Sequence, residues 1–316
     1  MKGNVINSFK RVVDLMTTVT NRVSELFDNV ANLRKKAGIV DKTDPLGFMD
    51  ASTGFVSSFD SIYCMGDGST VGALPYVIGN RSYEYYNEGT AYPSVLRSFG
   101  LNASNYGWPD ETAKDYYQHV ENSIANNEDF LKDAKAVIIA LGAVDLIADG
   151  QIAHRFDGDP DTDIDLSDYT QNADNSVGGY ARLIQIILER QPRARIFCCC
   201  LPNTISTEPL RTEANLKIKA IAEMFPDNCF VMDFQTYGVK EEDVSEWKEK
   251  YYSGDKPNAL GYNLFARMVL SYMNWIIANN MDKFRDIGFI GTDYEYIDSN
   301  DSEGDSPVSD GVTEQS

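Results

Sequence analysis

Short apolar segments alternate with amphipathic stretches between residues 61 and 278, and this alternation constrains the fold more than any other feature of the chain. The apolar segments have the length of strands, and the stretches between them have the apolar spacing of helices. Predicted strands lie at 61–65, 101–105, 136–141, 195–201 and 230–233, and predicted helices at 93–99, 111–125, 178–190, 208–225 and 259–278. This order favours right-handed crossovers, so we expect a parallel sheet covered by helices on both faces.

The first 37 residues have a different period. Apolar residues from Val5 to Leu33 follow one another at alternating steps of four and three, which is the heptad spacing of a coiled coil. Further apolar residues beside this seam widen the apolar stripe, which favours self-association as a trimer over a dimer through residues 5–33. The alternative is one amphipathic helix that packs on its own globular domain.

The remaining chain divides into three parts. A Gly-, Asp- and Pro-bearing linker is expected at 38–60, the α/β domain at 61–290, and a tail at 291–316. The tail contains no Lys, Arg or His and few apolar residues. A segment of this composition buries too little apolar surface to fold, so we expect it to be acidic and disordered.

Charge and cysteine content narrow the function classes. A formal net charge of -20 disfavours nucleic acid as a partner because phosphates would be repelled. No apolar run reaches the length of a membrane span, and no secretory signal is recognised, so we expect cytoplasmic synthesis.

Cys198, Cys199 and Cys200 are consecutive in a predicted strand and therefore point to alternate faces. We expect reduced core residues rather than disulfides or metal ligands.

Four short blocks follow the predicted strands or precede the last helix. They read Gly66-Asp67-Gly68-Ser69, Asn105-Tyr106-Gly107, Gly142-Ala143-Val144-Asp145, and Ser253 to Gly261 with Lys256-Pro257-Asn258 at its centre. In this order and spacing the chain, over roughly 61–279, resembles the SGNH (GDSL-type) hydrolase family. The resemblance implies a flavodoxin-like three-layer α/β/α fold and an ancestry in ester hydrolysis without a cofactor.

The residues that the family uses in catalysis are replaced in this sequence. Gly68 stands at the position of the nucleophilic serine, Val144 at that of the oxyanion asparagine, Lys256 at that of the histidine base and Ser253 at that of its aspartate. Gly107 matches the glycine of the oxyanion site. Glycine has no attacking oxygen and valine no hydrogen-bond donor, so the sequence predicts a pseudoenzyme. The active alternative pairs Ser69, as a displaced nucleophile, with Lys256.

Other residues of these blocks are candidates for ligand binding, because they lie at the strand ends where ligands of parallel sheets collect. The candidates are Asp67, Ser69, Tyr106, Trp108, Asp145 and Asn258. A separate acidic loop has carboxylates at the spacing of an EF-hand calcium loop, at Asp157, Asp159, Asp161, Asp165 and Asp168. Its sixth position is Thr162 rather than glycine, and a merely solvated acidic loop is the alternative.

The leading interpretation is a non-catalytic SGNH-like module with a structural or binding role, displayed on an oligomerising helix. One setting for it is a phage virion or tail, where the module would bind glycans or other structural subunits. An active carbohydrate esterase or lipase-like hydrolase with a rearranged site is one alternative. A cytoplasmic scaffold protein is another.

Overall fold

The structure, a computed structural model, describes residues 22, 44–46, 53–79, 81–146, 155–205 and 208–295. The predicted heptad helix lies outside the described residues apart from Arg22, and so does the acidic tail beyond residue 295. Within the described ranges, no helix combines the length and the apolar character that crossing a bilayer requires.

The central element is a five-stranded parallel sheet with the strand order β4-β1-β5-β6-β7. Its strands are β1 (Ile62–Gly66), β4 (Ala103–Gly107), β5 (Ala136–Ala140), β6 (Arg195–Cys199) and β7 (Cys229–Met232). The second sheet strand of the chain thus lies at one edge, and the other four follow in sequence, which is the flavodoxin-like order 2-1-3-4-5. The predicted strands and the parallel sheet are confirmed.

Helices cover both faces of the sheet. In chain order they are α1 (Gly68–Val71), α2 (Tyr92–Ser98), α3 (Tyr117–Asn126), α4 (Pro160–Asp163), α5 (Ser176–Arg190), α6 (Glu208–Glu223), α7 (Phe234–Tyr237), α8 (Val244–Tyr251) and α9 (Ala259–Asn279). Successive side chains along a strand point to opposite faces of the sheet and belong to two separate cores. One core packs against α3, α5 and α6, and the other packs against α2 and α9. The three-layer architecture therefore follows from strands that are apolar on both faces.

The consecutive cysteines show this alternation directly. Cys198 and Cys200 belong to the core under α5 and α6, whereas Cys199 belongs to the core under α9. All five cysteines of the chain are buried and free. The prediction that these cysteines are core residues is confirmed.

The sequence analysis did not predict two hairpins. An antiparallel hairpin, β2 (Ala73–Ile78) and β3 (Arg81–Tyr86), follows α1, and a small hairpin, β8 (Tyr252–Ser253) and β9 (Lys256–Pro257), follows α8. The first hairpin had a readable signal, because residues of alternating character flank a Gly-Asn pair at 79–80. The second has strands of two residues, which is too short for a periodic pattern.

Candidate functional site

The candidate site lies at the carboxyl end of the sheet, between β1 and β5. Gly66, the last residue of β1, pairs with Gly107 of β4 on one side and with Ala140 of β5 on the other. The loops after these three strands therefore leave the sheet at the same level. In the 2-1-3-4-5 order this is the switch point where the connections diverge and a cleft opens.

A tight turn joins β1 to α1. Asp67 is the N-cap of α1, and its Oδ1 accepts a hydrogen bond of 3.0 Å from the backbone N–H of Ser69. A side chain on Gly66 would meet Ala140 O at 2.6 Å from its Cβ, so only glycine allows β1 and β5 to end this close together. The turn thus places Gly68 at the floor of the cleft.

Lys256 faces Gly68 across this cleft. A Cβ atom added to Gly68 would lie 3.8 Å from Lys256 Nζ and 3.5 Å from the Cβ of Ala73, which are ordinary contact distances. Lys256 is carried by β9 and is paired across the small hairpin with Ser253. The structure therefore brings the residues at the predicted nucleophile and base positions together, and it holds an ammonium group beside a residue without a side chain.

Two carboxyl groups surround this ammonium group. Glu84 of β3 places its Oε1 3.9 Å from Lys256 Nζ. Burial raises the pKa of Asp67 to about 6, while the backbone N–H of Ser69, the charge of Lys256 and the hydroxyl of Ser69 act in the opposite direction. Asp67 is thus held by the backbone N–H of Ser69 and lies close enough to Lys256 for the lysine charge to affect its pKa.

Gly107 retains its position but its N–H is already engaged. The N–H donates to the side-chain Oδ1 of Asn105 at 2.9 Å. A Cβ on Gly107 would lie 2.4 Å from the backbone N of Val71 in α1, so β4 and α1 are in direct backbone contact. The glycine therefore serves close packing of the turn, and its N–H is bonded within its own strand.

Replacing Gly107 by Ala should lower the free energy of unfolding by about 1–3 kcal/mol, because a backbone has to move to admit the methyl group. The matched control is Gly288→Ala, since nothing lies within 4 Å of a Cβ there and its φ is not in the left-handed region. Urea denaturation of both variants measures the difference. Equal effects would show that β4 and α1 do not approach as closely as described.

The loop after β5 supplies the opposite wall. Gly142 has a φ of +108°, which favours glycine and turns the chain away from the strand. Val144 follows and lines the cleft. Asp145 is buried, and its carboxylate accepts from the N–H of Ala113 at 2.9 Å and from Ser176 Oγ at 2.7 Å. Asp145 thus fastens this loop to the start of α5 rather than facing the cleft.

The cleft consists of an outer and an inner cavity that share Asp67, Ser69, Ala143, Thr204 and Ile205. The outer cavity, of about 200 Å³, adds the charged side chains Lys248, Asp255 and Lys256 together with Val144 and Leu146. The inner cavity, of about 90 Å³, is mostly apolar, and its walls include Leu201, Val239, Trp247, Phe265 and Met268. The site therefore joins a cavity with charged walls to one whose walls are mostly apolar.

Three other predicted ligand-binding residues lie outside the walls of both cavities, as the described residues define them. Tyr106 stacks on Tyr63 with ring centroids 5.0 Å apart. Trp108 is exposed and stacks on His119 at 3.9 Å. Asn258 caps α9, where its Oδ1 accepts from the N–H groups of Leu260 and Gly261, both at 3.0 Å. Asn258 thus holds the hairpin of Lys256 to α9.

The aspartates of the acidic loop accept hydrogen bonds from backbone N–H groups in the loop and at the start of α5. Asp157 accepts from the N–H of Ser176, Asp159 from that of Asp161, Asp165 from that of Ser167, and Asp168 from that of Thr170. Within the described ranges no group of three or more His, Cys, Asp or Glu is arranged to hold a metal ion. Aspartates at turn and cap positions satisfy neighbouring N–H groups, which accounts for their spacing without calcium.

The sequence did not single out several residues that form the site. Glu84 comes from the missed hairpin, Lys248 from the missed helix α8, and Thr204 from the loop after β6, where its Oγ1 accepts from the hydroxyl of Tyr252 at 2.7 Å. Only the hairpin carried a sequence signal. Thr204 and Lys248 are ordinary polar residues until the fold brings them to the cleft.

No family model matches the sequence, and no curated protein matches it. Solved structures do match. One is a family two carbohydrate esterase from Clostridium thermocellum in complex with cellohexaose, with 15% identity over 71% of this chain and 65% of that chain, at a TM-score of 0.49. A carbohydrate acetylesterase from Sinorhizobium meliloti has 14% identity over 70% and 99% of the two chains, at 0.43.

A third solved structure is a member of the lipolytic protein G-D-S-L family from Veillonella parvula. It has 18% identity over 66% of this chain and 96% of that chain, at a TM-score of 0.44. Its printed name carries the G-D-S-L designation of the family that the four sequence blocks resemble.

Proposed function

We propose that this chain is a non-catalytic binding module built on a hydrolase-like α/β/α fold. The observation that carries the proposal is the pairing at the floor of the cleft, where Lys256 Nζ faces Gly68 instead of a base facing a nucleophile. Ester hydrolysis at this point needs an attacking oxygen, a proton acceptor and donors for the oxyanion. Gly68 and Val144 carry none of these groups in their side chains, and the N–H of Gly107 is bonded to Asn105.

The alternative hydrolase would use Ser69 as its nucleophile. Ser69 lines both cavities, which is the observation in its favour. Ser69, however, lies in the first turn of α1, where its backbone N–H donates to the carboxylate of the N-cap Asp67 at 3.0 Å. A nucleophile of this kind needs a neutral base within hydrogen-bond reach, and the group that Ser69 contacts is a buried carboxyl group that caps α1.

Turnover of p-nitrophenyl acetate and p-nitrophenyl butyrate tests the proposal. We expect the wild-type rate to equal the rates of Ser69→Ala and Lys256→Met, within the spontaneous hydrolysis measured without protein. A wild-type rate above this background that is lost in Ser69→Ala would contradict the proposal and favour the rearranged hydrolase.

The variant with Gly68→Ser, Val144→Asn, Ser253→Asp and Lys256→His is the positive control. A serine fits at position 68 because its Cβ would meet only ordinary contacts, and residues 253 and 256 face each other across the small hairpin. We expect turnover above background in this variant, since the oxyanion donor and the base are restored together. Gain of activity would show that the cleft kept the shape of a hydrolase site.

The wider setting of the module stays a prediction. The heptad helix through residues 5–33, the trimer it favours and the display of the module in a phage virion or tail all depend on the sequence pattern alone. Binding of glycans or of other structural subunits belongs to the same prediction.

A further inference from the structure

The side chain of Lys256 is largely buried, and among the described residues no carboxylate oxygen lies within hydrogen-bond distance of its ammonium group. Its side chain is only 13% exposed, and its nearest carboxylate oxygen among the described residues, Glu84 Oε1, is 3.9 Å away. This distance permits an ion pair but exceeds that of a hydrogen bond. An ammonium group has three N–H donors. In the described part of the chain, therefore, a nearly buried cation presents donors to the space next to Gly68 without an acceptor in contact.

An apolar chamber adjoins this cation. The inner cavity of about 90 Å³ shares Asp67 and Ser69 with the outer cavity that Lys256 lines, so the two form one continuous cleft. An apolar protein cavity of about 150 Å³ accepts a benzene molecule. The inner cavity is smaller, and its Leu201, Val239, Phe265 and Met268 walls suit an alkyl chain of roughly two to four carbons.

The charged side chains near Lys256 determine which head group a ligand with such an alkyl chain would carry. Lys248, Asp255 and Asp67 line the same cavity as Lys256, and Glu84 of β3 lies 3.9 Å from its ammonium group. A cationic head group placed beside Gly68 would lie directly against the ammonium group of Lys256. A neutral hydroxyl would leave the ammonium charge unmatched in a partly desolvated place. A carboxylate matches it, and below about pH 6 the competing charge of Asp67 is largely lost, because burial raises the pKa of Asp67 to about 6.

We propose that the cleft binds a short-chain aliphatic carboxylate, with its oxygens on Lys256 beside Gly68 and its alkyl chain in the inner cavity. This proposal rests on the proposed function, because a hydrolase would meet the same molecule only as a product. Gly68 is part of the argument, since the missing side chain leaves room for a ligand oxygen where a serine hydroxyl would stand.

Isothermal titration of the full chain with butyrate tests the proposal, with 1-butanol and n-butylammonium as probes of the same chain length. Butyrate should bind more tightly than either probe, and Lys256→Met should weaken it about tenfold or more because a charge-assisted hydrogen bond is lost. The matched control is Lys250→Met on the same α8–β9 segment, where the lysine is 58% exposed and pairs with Glu246. Its affinity should equal that of the wild type.

The titration is repeated at about pH 5.5 and about pH 7.5. A carboxylate ligand stays largely ionised at the lower value, whereas Asp67 becomes mostly protonated and stops competing for Lys256. Butyrate should therefore bind more tightly at the lower pH, and Asp67→Asn should remove most of this dependence. Glu84, Lys248 and Asp255 are present in both variants, so their titration cancels in the comparison.

The outcomes separate this proposal from the proposed function. Butanol binding as tightly as butyrate, an unchanged affinity in Lys256→Met, or no heat with millimolar butyrate would each overturn the carboxylate proposal. None of these results would restore catalysis. Ester turnover that depends on Ser69 would overturn the non-catalytic function instead, whether or not butyrate binds.

Discussion

Replacing Arg211 by Met should lower the free energy of unfolding by about 1–3 kcal/mol, the cost of leaving buried hydrogen-bond acceptors without their donor. Arg211 lies in α6, and its side chain is only 1% exposed. Its guanidinium donates to the carbonyl oxygens of Asn203 at 3.3 Å and Ile205 at 3.1 Å, and it pairs with Glu241 at 2.7 Å. Methionine fills similar space but donates no hydrogen bond, so these carbonyls lose a charged donor.

The control is the same substitution at Arg155. This arginine also pairs with a glutamate, Glu213, but at 3.9 Å and with 67% of its side chain exposed. Exposed ion pairs contribute about 0–1 kcal/mol, so Arg155→Met should hardly change the urea midpoint. Similar losses in the two variants would show that burial of Arg211 is not what stabilises the loop after β6.

This prediction concerns the site as well as stability. The loop that Arg211 holds contains Thr204 and Ile205, which belong to the walls of both cavities. Arg211→Met should therefore weaken ligand binding in the cleft under conditions in which the variant is still folded. Near-ultraviolet circular dichroism establishes the folded state in which affinity is compared.

Replacing Asp67 by Asn should stabilise the protein relative to the wild type by about 3 kcal/mol more at pH 8 than at pH 3, from a shift of roughly two pKa units at about 1.4 kcal/mol each. Burial raises the pKa of Asp67 from 3.8 to about 6. The folded state therefore holds this proton more tightly than the unfolded state. The contribution of Asp67 to stability is most favourable below pH 3.8, falls as the pH rises through 6, and stays unfavourable above it.

Asparagine removes this titration and retains the cap, because its side-chain oxygen still accepts from the N–H of Ser69. The opposite case in the same fold is Asp233, which also follows a strand and caps a helix, α7. Burial acts to raise the pKa of Asp233, but hydrogen bonds from Lys219 and Thr236 outweigh it and lower the pKa. Asp233→Asn should therefore lose stability relative to the wild type as the pH rises. Urea denaturation from pH 3 to 8 measures the stability of both variants relative to the wild type. The same pH dependence in the two variants would contradict the opposite pKa shifts of Asp67 and Asp233.

The sheet was predictable because its strands carry a local signal. Four of the five strands, all except the edge strand β4, are short runs of mainly apolar residues, and a parallel sheet buried on both faces requires such runs. The predicted strand at 195–201 corresponds to Arg195–Cys199, and the predicted helix at 259–278 to Ala259–Asn279. The helix predicted at 111–125 begins later, at Tyr117, because residues 109–116 form turns before it.

The candidate site was predictable only in part. The resemblance of the four blocks placed Gly68, Val144, Ser253 and Lys256 at the same edge of the sheet, and the structure does bring Lys256 to Gly68. The resemblance did not distinguish Asp67 and Ser69, which line the cleft, from Asp145, which is bonded to Ser176, and Asn258, which caps α9. That distinction depends on the direction in which each side chain leaves its turn.

The sequence by itself determined the class of fold, the two-sided burial of the strands and the absence of a nucleophile at position 68, because these are properties of residue type and short-range order. Only the tertiary structure decided that Lys248 and Thr204 share one cleft with Lys256, that Glu84 lies 3.9 Å from its ammonium group, and that an apolar cavity adjoins that cleft. These residues are separated by up to 172 positions, from Glu84 to Lys256. Contacts over such separations arise from how whole elements pack, and no local pattern encodes them.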